Sequence, residues 1–243
     1  MAVTIRVPND LNPFIGKSVA RVSMSAYDIG VHFLQDSAFL VEGTWSLKDV
    51  QQQEVDRSFG LKLRQTACSL FLTGQKLNKV DLKSGCMELV FDKHTLQLPL
   101  AEDQPRLTDG ITSRWAVLWD PLALTTPGSL LGKKDKKKML VHRVNVLAKD
   151  IARLTAICGQ SVSRVFWSKD EVGIYFYGHE LLMIEKSWVL LDSKGTAIDR
   201  AQPFMQRQGT ALFRLIGLAL NAVDRTGSVL KFNFEGGMVL SLG

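Results

Sequence analysis

Hydrophobic and polar positions alternate over short stretches of this chain, and that spacing predicts β-strands. Apolar residues alternate over 172–176, small polar residues interrupt the pattern, and the alternation resumes over 181–184. The arrangement recurs at 229–234 and 238–242, where a Gly-Gly pair supplies the positive φ that a tight turn needs. These segments predict antiparallel β-meanders.

A short helix is predicted before each meander. Residues 149–157 and 208–216 space their apolar side chains as helices do. Each segment ends just before a glycine, Gly159 or Gly217, which fits the left-handed residue that closes many helices. The pattern therefore predicts an α+β fold in which strands dominate.

The chain is predicted to be a tandem duplication. Shifting it by 143 residues superimposes 14–91 on 157–234 without a gap, and 23 of the 78 positions are identical, against roughly a fifteenth for unrelated sequences. The identities cluster: Gly16, Ser18, Val19, Arg21 and Val22 meet Gly159, Ser161, Val162, Arg164 and Val165, and Glu42, Trp45, Leu47 and Asp49 meet Glu185, Trp188, Leu190 and Asp192. Two copies of one small domain with a pseudo-two-fold relation are expected.

A weaker repeat lies inside each copy. Gly16-x-x-Val-x-x-Val recurs as Gly74-x-x-Leu-x-x-Val, and an alternating stretch follows each of them. These stretches end at phenylalanines, and the corresponding segments of the second copy do the same. Large apolar residues are usually inside, so we expect the four phenylalanines in the core: Phe33, Phe91, Phe176 and Phe234.

Three segments make up the predicted domain organisation. We name residues 1–122 the N-half and residues 139–243 the C-half, with a basic linker over 123–138. Residues 114–119 are predicted to form a strand that closes the N-half, and residues 139–146 a strand that opens the C-half.

Composition narrows the class of protein. The chain has 243 residues, 46% hydrophobic and 22% charged, which is ordinary for a globular protein. It has three cysteines, no apolar run long enough to span a bilayer and no leader-like start, so a cytoplasmic protein without a membrane span is expected. The net charge of +6 is uneven, because residues 101–156 carry +4 while residues 1–100 and 157–243 carry +1 each.

The basic excess lies in one run of five lysines around Asp135. Such a run can hold phosphates or an anionic surface, and the candidates for that role are Lys133, Lys134, Lys136, Lys137, Lys138 and Arg143. Similar runs also serve as solubilising linkers. No aromatic interleaving or RNP-like motif accompanies the run, so sequence-specific reading of bases is not expected.

Catalytic chemistry has little support in the sequence. The motifs G-x-x-x-x-G-K-[ST], G-x-S-x-G and H-E-x-x-H and paired C-x-x-C are absent. No histidine or cysteine of one copy meets its own kind in the other copy. We therefore predict a protein that is not an enzyme and has no cofactor and no metal, with an enzyme of unrecognised site as an alternative.

A polar set recurs in both copies and is the main candidate for partner binding. The binding candidates within this set are Asp56, Arg57 and Arg64 with Asp199, Arg200 and Arg207. Arginine and carboxylate side chains make strong bidentate contacts across interfaces. The alternative interpretation is structural, in which the aspartates cap a turn and the arginines tie a loop back.

Each copy resembles an uncharacterised bacterial domain of unknown function. The resemblance rests on G-x-x-V-x-x-V, then E-x-x-W-x-L, Asp-Arg, a second G-x-x-[LV]-x-x-V-D and a Trp-containing strand like residues 115–119. It implies a small β-rich fold of the kind seen in immunity or accessory proteins. It implies no functional residues, since that family has no established activity.

The sequence favours a protein-binding module with two related surfaces, acting as an inhibitor, an immunity-type protein or an assembly adaptor. A nucleic-acid-associated accessory protein that uses the lysine run is the first alternative, and the enzyme is the second. The oligomeric state, the identity of the partner and the orientation of the two copies stay open.

Overall fold

A computed structural model describes residues 9–243 except 27, 34–36, 59–66, 84–85, 100–113, 119–139, 144–150, 169–170, 179, 185–186 and 204–208. Strands account for 59% of this described part. Its helices are one α-helical turn, Ile151–Thr155, and short 3-10 segments at Asn9–Phe14, Ser69–Leu72, Leu212–Leu215 and Glu235–Gly237. None of the described helices has the length and apolar character needed to cross a bilayer.

The predicted α+β fold with a helix before each meander is wrong. The helix predicted over 208–216 is only the 3-10 turn Leu212–Leu215, and the one predicted over 149–157 is only the turn Ile151–Thr155. Both ends of the former segment are fixed, because Thr210 pairs with Ala67 and the Gly217 N–H donates to the Val162 carbonyl at 2.8 Å. Held between these anchors, residues 211–216 contain the 3-10 turn and no α-helix.

Each half contains, within its described residues, the same succession of eight strands. In the N-half these are β1 (Val19–Ser25), β2 (Asp28–Phe33), β3 (Ser37–Glu42), β4 (Ser46–Asp49), β5 (Glu54–Arg57), β6 (Leu77–Lys83), β7 (Cys86–Phe91) and β8 (His94–Pro99). In the C-half they are β11 (Val162–Ser168), β12 (Val172–Phe176), β13 (Glu180–Ile184), β14 (Trp188–Leu191), β15 (Ala197–Arg200), β16 (Leu220–Thr226), β17 (Val229–Phe234) and β18 (Val239–Leu242). Between them lie β9 (Arg114–Leu118) and β10 (Leu140–Arg143), at the positions of the two predicted connecting strands.

The strands form three sheets. An eight-stranded central sheet has the order β10-β13-β12-β11-β1-β2-β3-β9 and therefore contains strands of both halves. The N-sheet has the order β5-β4-β8-β7-β6, and the C-sheet repeats it as β15-β14-β18-β17-β16. Among the described strands, the pairings are antiparallel except that of β10 with β13, which is parallel.

The two halves join at β1 and β11, which we call the seam. The register pairs Arg21 with Ser168, Ser23 with Phe166 and Ser25 with Arg164. The 143-residue shift exchanges the first and third of these pairs and maps Ser23 onto its own partner, Phe166. A pseudo-two-fold axis therefore passes between Ser23 and Phe166. The bridge between Ala67 and Thr210, at 2.8 and 3.0 Å, obeys the same relation.

One hydrophobic cluster connects all three sheets. On the central sheet it uses alternate residues such as Val22 and Ile174, and on the N-sheet and C-sheet it uses Leu89 and Phe232. The four phenylalanines that were expected in the core are buried, as are Trp45 and Trp188. We name the side of the central sheet that enters this cluster the core face, and the opposite side the seam face.

The Gly-x-x-Val motifs mark a reciprocal crossing of β1 and β6. The Gly16 N–H donates to the Leu77 carbonyl at 2.7 Å, and the Gly74 N–H donates to the Val19 carbonyl at 2.8 Å. Both glycines have φ above +80°, a conformation that side chains disfavour. Gly159 and Gly217 repeat the crossing for β11 and β16. The weaker repeat inside each half therefore has a structural cause.

Candidate functional site

A buried polar cluster lies on the seam face, where the two halves meet. It consists of Ser23, Asp28, His32 and Arg164, and we call it the seam cluster. Successive side chains of a strand point to opposite faces of the sheet, so these residues point away from the core-face residues that alternate with them on β1, β2 and β11. Ser23, His32 and Arg164 are between 1% and 3% exposed.

Arg164 links the halves through polar contacts with the N-half. Its Nη2 donates to Asp28 Oδ2 at 2.8 Å, and Nη1 lies within ion-pair distance of Oδ1. Nη1 also donates to Ser23 Oγ at 3.2 Å, and that oxygen shares a hydrogen bond of 2.9 Å with His32 Nε2. Arg164 Nε and His32 Nδ1 have no hydrogen-bond partner in the described part of the chain.

The pseudo-symmetric positions in the C-half are aromatic. Phe166 and Tyr175 take the places of Ser23 and His32, and their ring centroids lie 5.5 Å apart. Arg21, the counterpart of Arg164, places its guanidinium 5.1 Å from the centre of the Phe166 ring. Each arginine thus crosses the seam toward the same position of the other half, but one meets a hydroxyl and the other a ring.

Burial and positive charge keep His32 neutral. Loss of solvent on burial, followed by the charges of Arg21 and Arg164, holds the pKa of His32 well below its ordinary value of 6.5. Burial likewise raises the pKa of Tyr175. The described part of the seam face therefore holds the Arg164–Asp28 ion pair and the charged guanidinium of Arg21, beside His32 and Tyr175, which are neutral near pH 7.

Ser23 and His32 have the spacing of a nucleophile and its general base. Their surroundings do not suit that reaction, since both side chains are almost fully buried and Ser23 Oγ already accepts a hydrogen bond from Arg164. No described carboxylate bonds to His32 Nδ1, whereas one orients the base in a serine triad. The arrangement suits a network that fixes the seam.

Acid is expected to destabilise the protein through His32. The pKa of His32 in the folded protein lies below 6.5, so the unfolded chain binds the proton more readily. The contribution of neutral His32 to the free energy of unfolding is therefore fully present above pH 6.5 and is lost as the pH falls below that value. One such group gives a slope of up to about 1.4 kcal/mol per pH unit. Urea unfolding between about pH 7.5 and 5 measures the slope, and His32→Gln should flatten it.

His94 provides the control for that experiment. Its pKa is also lowered, chiefly by burial, but the side chain is only partly buried. His94→Gln should therefore change the pH dependence less than His32→Gln does. An equal slope in the wild type and His32→Gln would contradict the assignment of the acid sensitivity to the seam.

The aspartates of the predicted polar set bind backbone groups. Asp56 Oδ2 accepts from the Cys68 and Ser69 N–H groups at 2.8 and 2.7 Å. Asp199 Oδ2 accepts from Thr210 Oγ1 and the Ala211 N–H, both at 2.6 Å. Each carboxylate thereby ties an edge strand of an outer sheet to the 3-10 turn that follows it.

The arginines of that set are placed differently. Arg57 and Arg200 are exposed on the edge strands β5 and β15. Arg64 and Arg207 lie outside the described residues, as do the five lysines at 133–138. The backbone of Arg143 belongs to β10. Partner binding by these residues stays a prediction.

The outer face of the N-sheet, which points away from the core, is polar. One row across its strands reads Arg57, Ser46, Gln97, Glu88 and Asp81, and the next reads Glu54, Lys48, Thr95, Val90 and Lys79. Most of its charges are paired: Arg57 Nη1 lies 3.4 Å from Glu54 Oε1, Lys83 Nζ lies 2.6 Å from Glu88 Oε2, and Lys79 Nζ lies 2.7 Å from Asp81 Oδ1. Lys48 forms no ion pair with a described residue. Burial opposes ionisation of Glu88, but hydrogen bonds from Lys83 and Gln97 hold its pKa below the ordinary value.

The outer face of the C-sheet differs at the same positions. Its rows read Arg200, Val189, Ser241, Lys231 and Asp224, and then Ala197, Leu191, Val239, Asn233 and Ala222. Apolar side chains have replaced polar ones on β14, β15 and β18. Alanine replaces Glu54 and lysine replaces Glu88, so two carboxylates are missing from this face.

Two groups of residues were not recognised in the sequence as sites. The seam cluster combines residues from both halves, and its one signal was a charged residue, Arg164, inside an alternating apolar strand. Part of the contrast between the outer faces was present where 14–91 align with 157–234, as in Glu54 against Ala197 and Glu88 against Lys231. The strand pairing is needed to show that these residues point outward.

Comparisons with known proteins add no relatives. No protein-family model, curated protein or solved structure matches the chain. The resemblance to an uncharacterised bacterial domain therefore stays a prediction. Within the described ranges, no group of three or more His, Cys, Asp or Glu side chains is placed to hold a metal ion. All three cysteines are free thiols.

Proposed function

We propose that this chain is a non-enzymatic, cytoplasmic protein-binding module that presents two related sheet faces from one scaffold. It would act as an inhibitor, an immunity-type protein or an assembly adaptor. The observation that carries the proposal is the seam, because pairing of β1 with β11 makes the central sheet continuous between the halves. The N-sheet and the C-sheet are thereby held on a common core in a pseudo-two-fold relation.

A fixed distance between the two outer sheets favours binding to a partner more than a flexible linkage between them would. Two surfaces held at a constant separation can engage two sites on a partner without a further loss of freedom, which raises the effective concentration of the second contact. The described Ser–His pair is committed to the seam network, which supports a binding role over a catalytic one. The free thiols of all three cysteines support a reducing compartment.

Affinity capture with the full chain as bait tests the proposal. Extracts of the source cells are passed over the immobilised protein with and without nuclease, and the bound proteins are quantified by mass spectrometry. We expect at least one protein to be retained in both arms and to compete with free, untagged chain.

Two outcomes would contradict the proposal. Retention that disappears with nuclease and with rising salt would favour the alternative role on nucleic acid through the lysine run, since phosphate contacts weaken steeply with salt. Recovery of no competing protein in either arm would remove the support for a binding module.

A further inference from the structure

The fold does not require the apolar residues on the outer face of the C-sheet. Val189, Leu191, Ala197 and Val239 occupy the positions that Ser46, Lys48, Glu54 and Thr95 occupy on the N-sheet. Both sheets have the same strand order, and both bury the opposite face in the shared core. The N-sheet is therefore an internal control, which shows that this architecture accepts polar residues there.

The same face has two cations that form no ion pair with a described residue. Lys231 lies opposite Asp224, but the hydrogen bond described for that carboxylate is the one that Asn233 Nδ2 donates to its Oδ2 at 2.6 Å. In the N-sheet Arg57 pairs with Glu54, but the residue beside Arg200 at that position is Ala197. Lys231 stands where Glu88 stands in the N-sheet. Neither Arg200 nor Lys231 forms an ion pair with any residue that the structure describes, and both are exposed.

The two cations flank the apolar residues. Arg200, Val189, Ser241 and Lys231 lie in one row on four adjacent strands, so the cations are about 14 Å apart at about 4.8 Å per strand. Leu191 and Val239 lie in the adjacent row. Val189, Leu191 and Val239 are half-buried, so each keeps part of its apolar side chain at the surface beside the two cations. Apolar surface bordered by charge is typical of protein interfaces.

We infer that this face docks a protein segment that carries apolar side chains between carboxylates, and this inference rests on the proposed binding function. Charge complementarity indicates an acidic segment, since Arg200 and Lys231 can each bind a carboxylate. An extended segment lying across the strands advances about 3.3 Å per residue, so four residues cover about 13 Å. An acid–x–apolar–x–acid pattern therefore places both carboxylates and the apolar side chain on one side.

A synthetic peptide of the repeating unit Glu-Thr-Leu-Thr is the probe. Its affinity for the full chain is measured by fluorescence anisotropy, beside a Lys-Thr-Leu-Thr peptide and a Glu-Thr-Ser-Thr peptide. We expect binding of the first peptide alone, weakened by salt. Arg200→Glu and Leu191→Lys should each lower the affinity about tenfold, which corresponds to about 1.4 kcal/mol.

The N-sheet supplies the matched variant. Arg57→Glu reverses the charge at the equivalent position and should leave the affinity within about twofold. Leu191→Lys introduces the residue of the equivalent N-sheet position, so it is compatible with the fold, and circular dichroism verifies folding. Equal binding of the lysine peptide, equal binding by Arg200→Glu, or no binding of the glutamate peptide would overturn the inference.

Further measurements separate the possible failures. A wild-type dimer in light scattering that Leu191→Lys converts to a monomer would identify a second copy of the chain as the occupant and overturn the inference. A protein captured from extracts that Arg57→Glu loses and Leu191→Lys keeps would also overturn it, while the proposed binding function would stand. Capture of no protein at all would instead contradict that function.

Discussion

Replacing Arg164 with leucine is expected to destabilise the folded protein by about 3–5 kcal/mol. The substitution removes the cation that faces Asp28 and leaves its carboxylate buried at the seam. It also removes the hydrogen bond to Ser23 Oγ. Asp28→Leu should cost a similar amount, because it strands the guanidinium in the same environment. Urea unfolding of each variant gives the free energy of unfolding.

The double variant distinguishes a lost ion pair from lost packing. With both charges gone no buried charge is left unpaired, so Arg164→Leu combined with Asp28→Leu should be clearly more stable than either single variant. Arg57→Leu is the surface control, since its pair with Glu54 is well exposed and should contribute at most about 1 kcal/mol. A double variant as unstable as the sum of the singles would refute this account.

Gly173→Ala is expected to cost about 3 kcal/mol, at the upper end for a small-to-large change. Gly173 lies directly opposite Phe166 across β11 and β12, and the ring covers it. A Cβ at this position would lie 1.8 Å from Phe166 Cε1, so the ring or the strand must move. The ring also packs on Tyr175 and Arg21, which leaves little room for such movement.

Removing the ring should remove this clash. Phe166→Ala alone creates a cavity and costs about 3–5 kcal/mol. Adding Gly173→Ala to that background should then cost less than about 1 kcal/mol, because the new methyl group enters the vacated space. The cycle is measured by urea unfolding of the four proteins. Additive losses would show that Gly173 is needed for a reason other than the ring.

Local patterns predicted the strands well and the helices poorly. Alternation of apolar residues over 172–184 and 229–242 indicated β12, β13, β17 and β18 correctly, because every second residue of a strand points into the core and is apolar. The helix predicted over 208–216 was wrong because two contacts with distant parts of the chain fix this segment. The Ala211 N–H donates to Asp199 Oδ2, and the Gly217 N–H donates to the Val162 carbonyl. Helical spacing alone cannot report such anchors.

The candidate sites were less accessible to sequence reasoning than the strands. Asp56 and Asp199 were recognised as a recurring pair, yet whether they meet a partner or the backbone depends on the 3-10 turns beside them. The seam cluster needs the β1–β11 register, which joins residues about 140 positions apart. No local pattern encodes that pairing.

The seam has a consequence for what each half could be by itself. A chain with one half would leave β1 as an unpaired edge strand, and edge strands readily pair with another chain. In the observed register the residue at position 23 would then face its own twin, as in a two-fold homodimer. Such a dimer must place identical residues on both sides of its axis.

Covalent joining removes that constraint. In the present chain the two residues at the axis differ, with Ser23 on one side and Phe166 on the other. One side can then carry the hydroxyl, the imidazole and an ion pair while the other carries two rings in tilted contact. The same freedom extends to the outer sheets, since Arg57 on one pairs with Glu54 while Arg200 on the other has no ion pair with a described residue. A single polypeptide of this kind has the symmetric architecture of a homodimer, and its two halves can carry different side chains at equivalent positions, as the subunits of a heterodimer can.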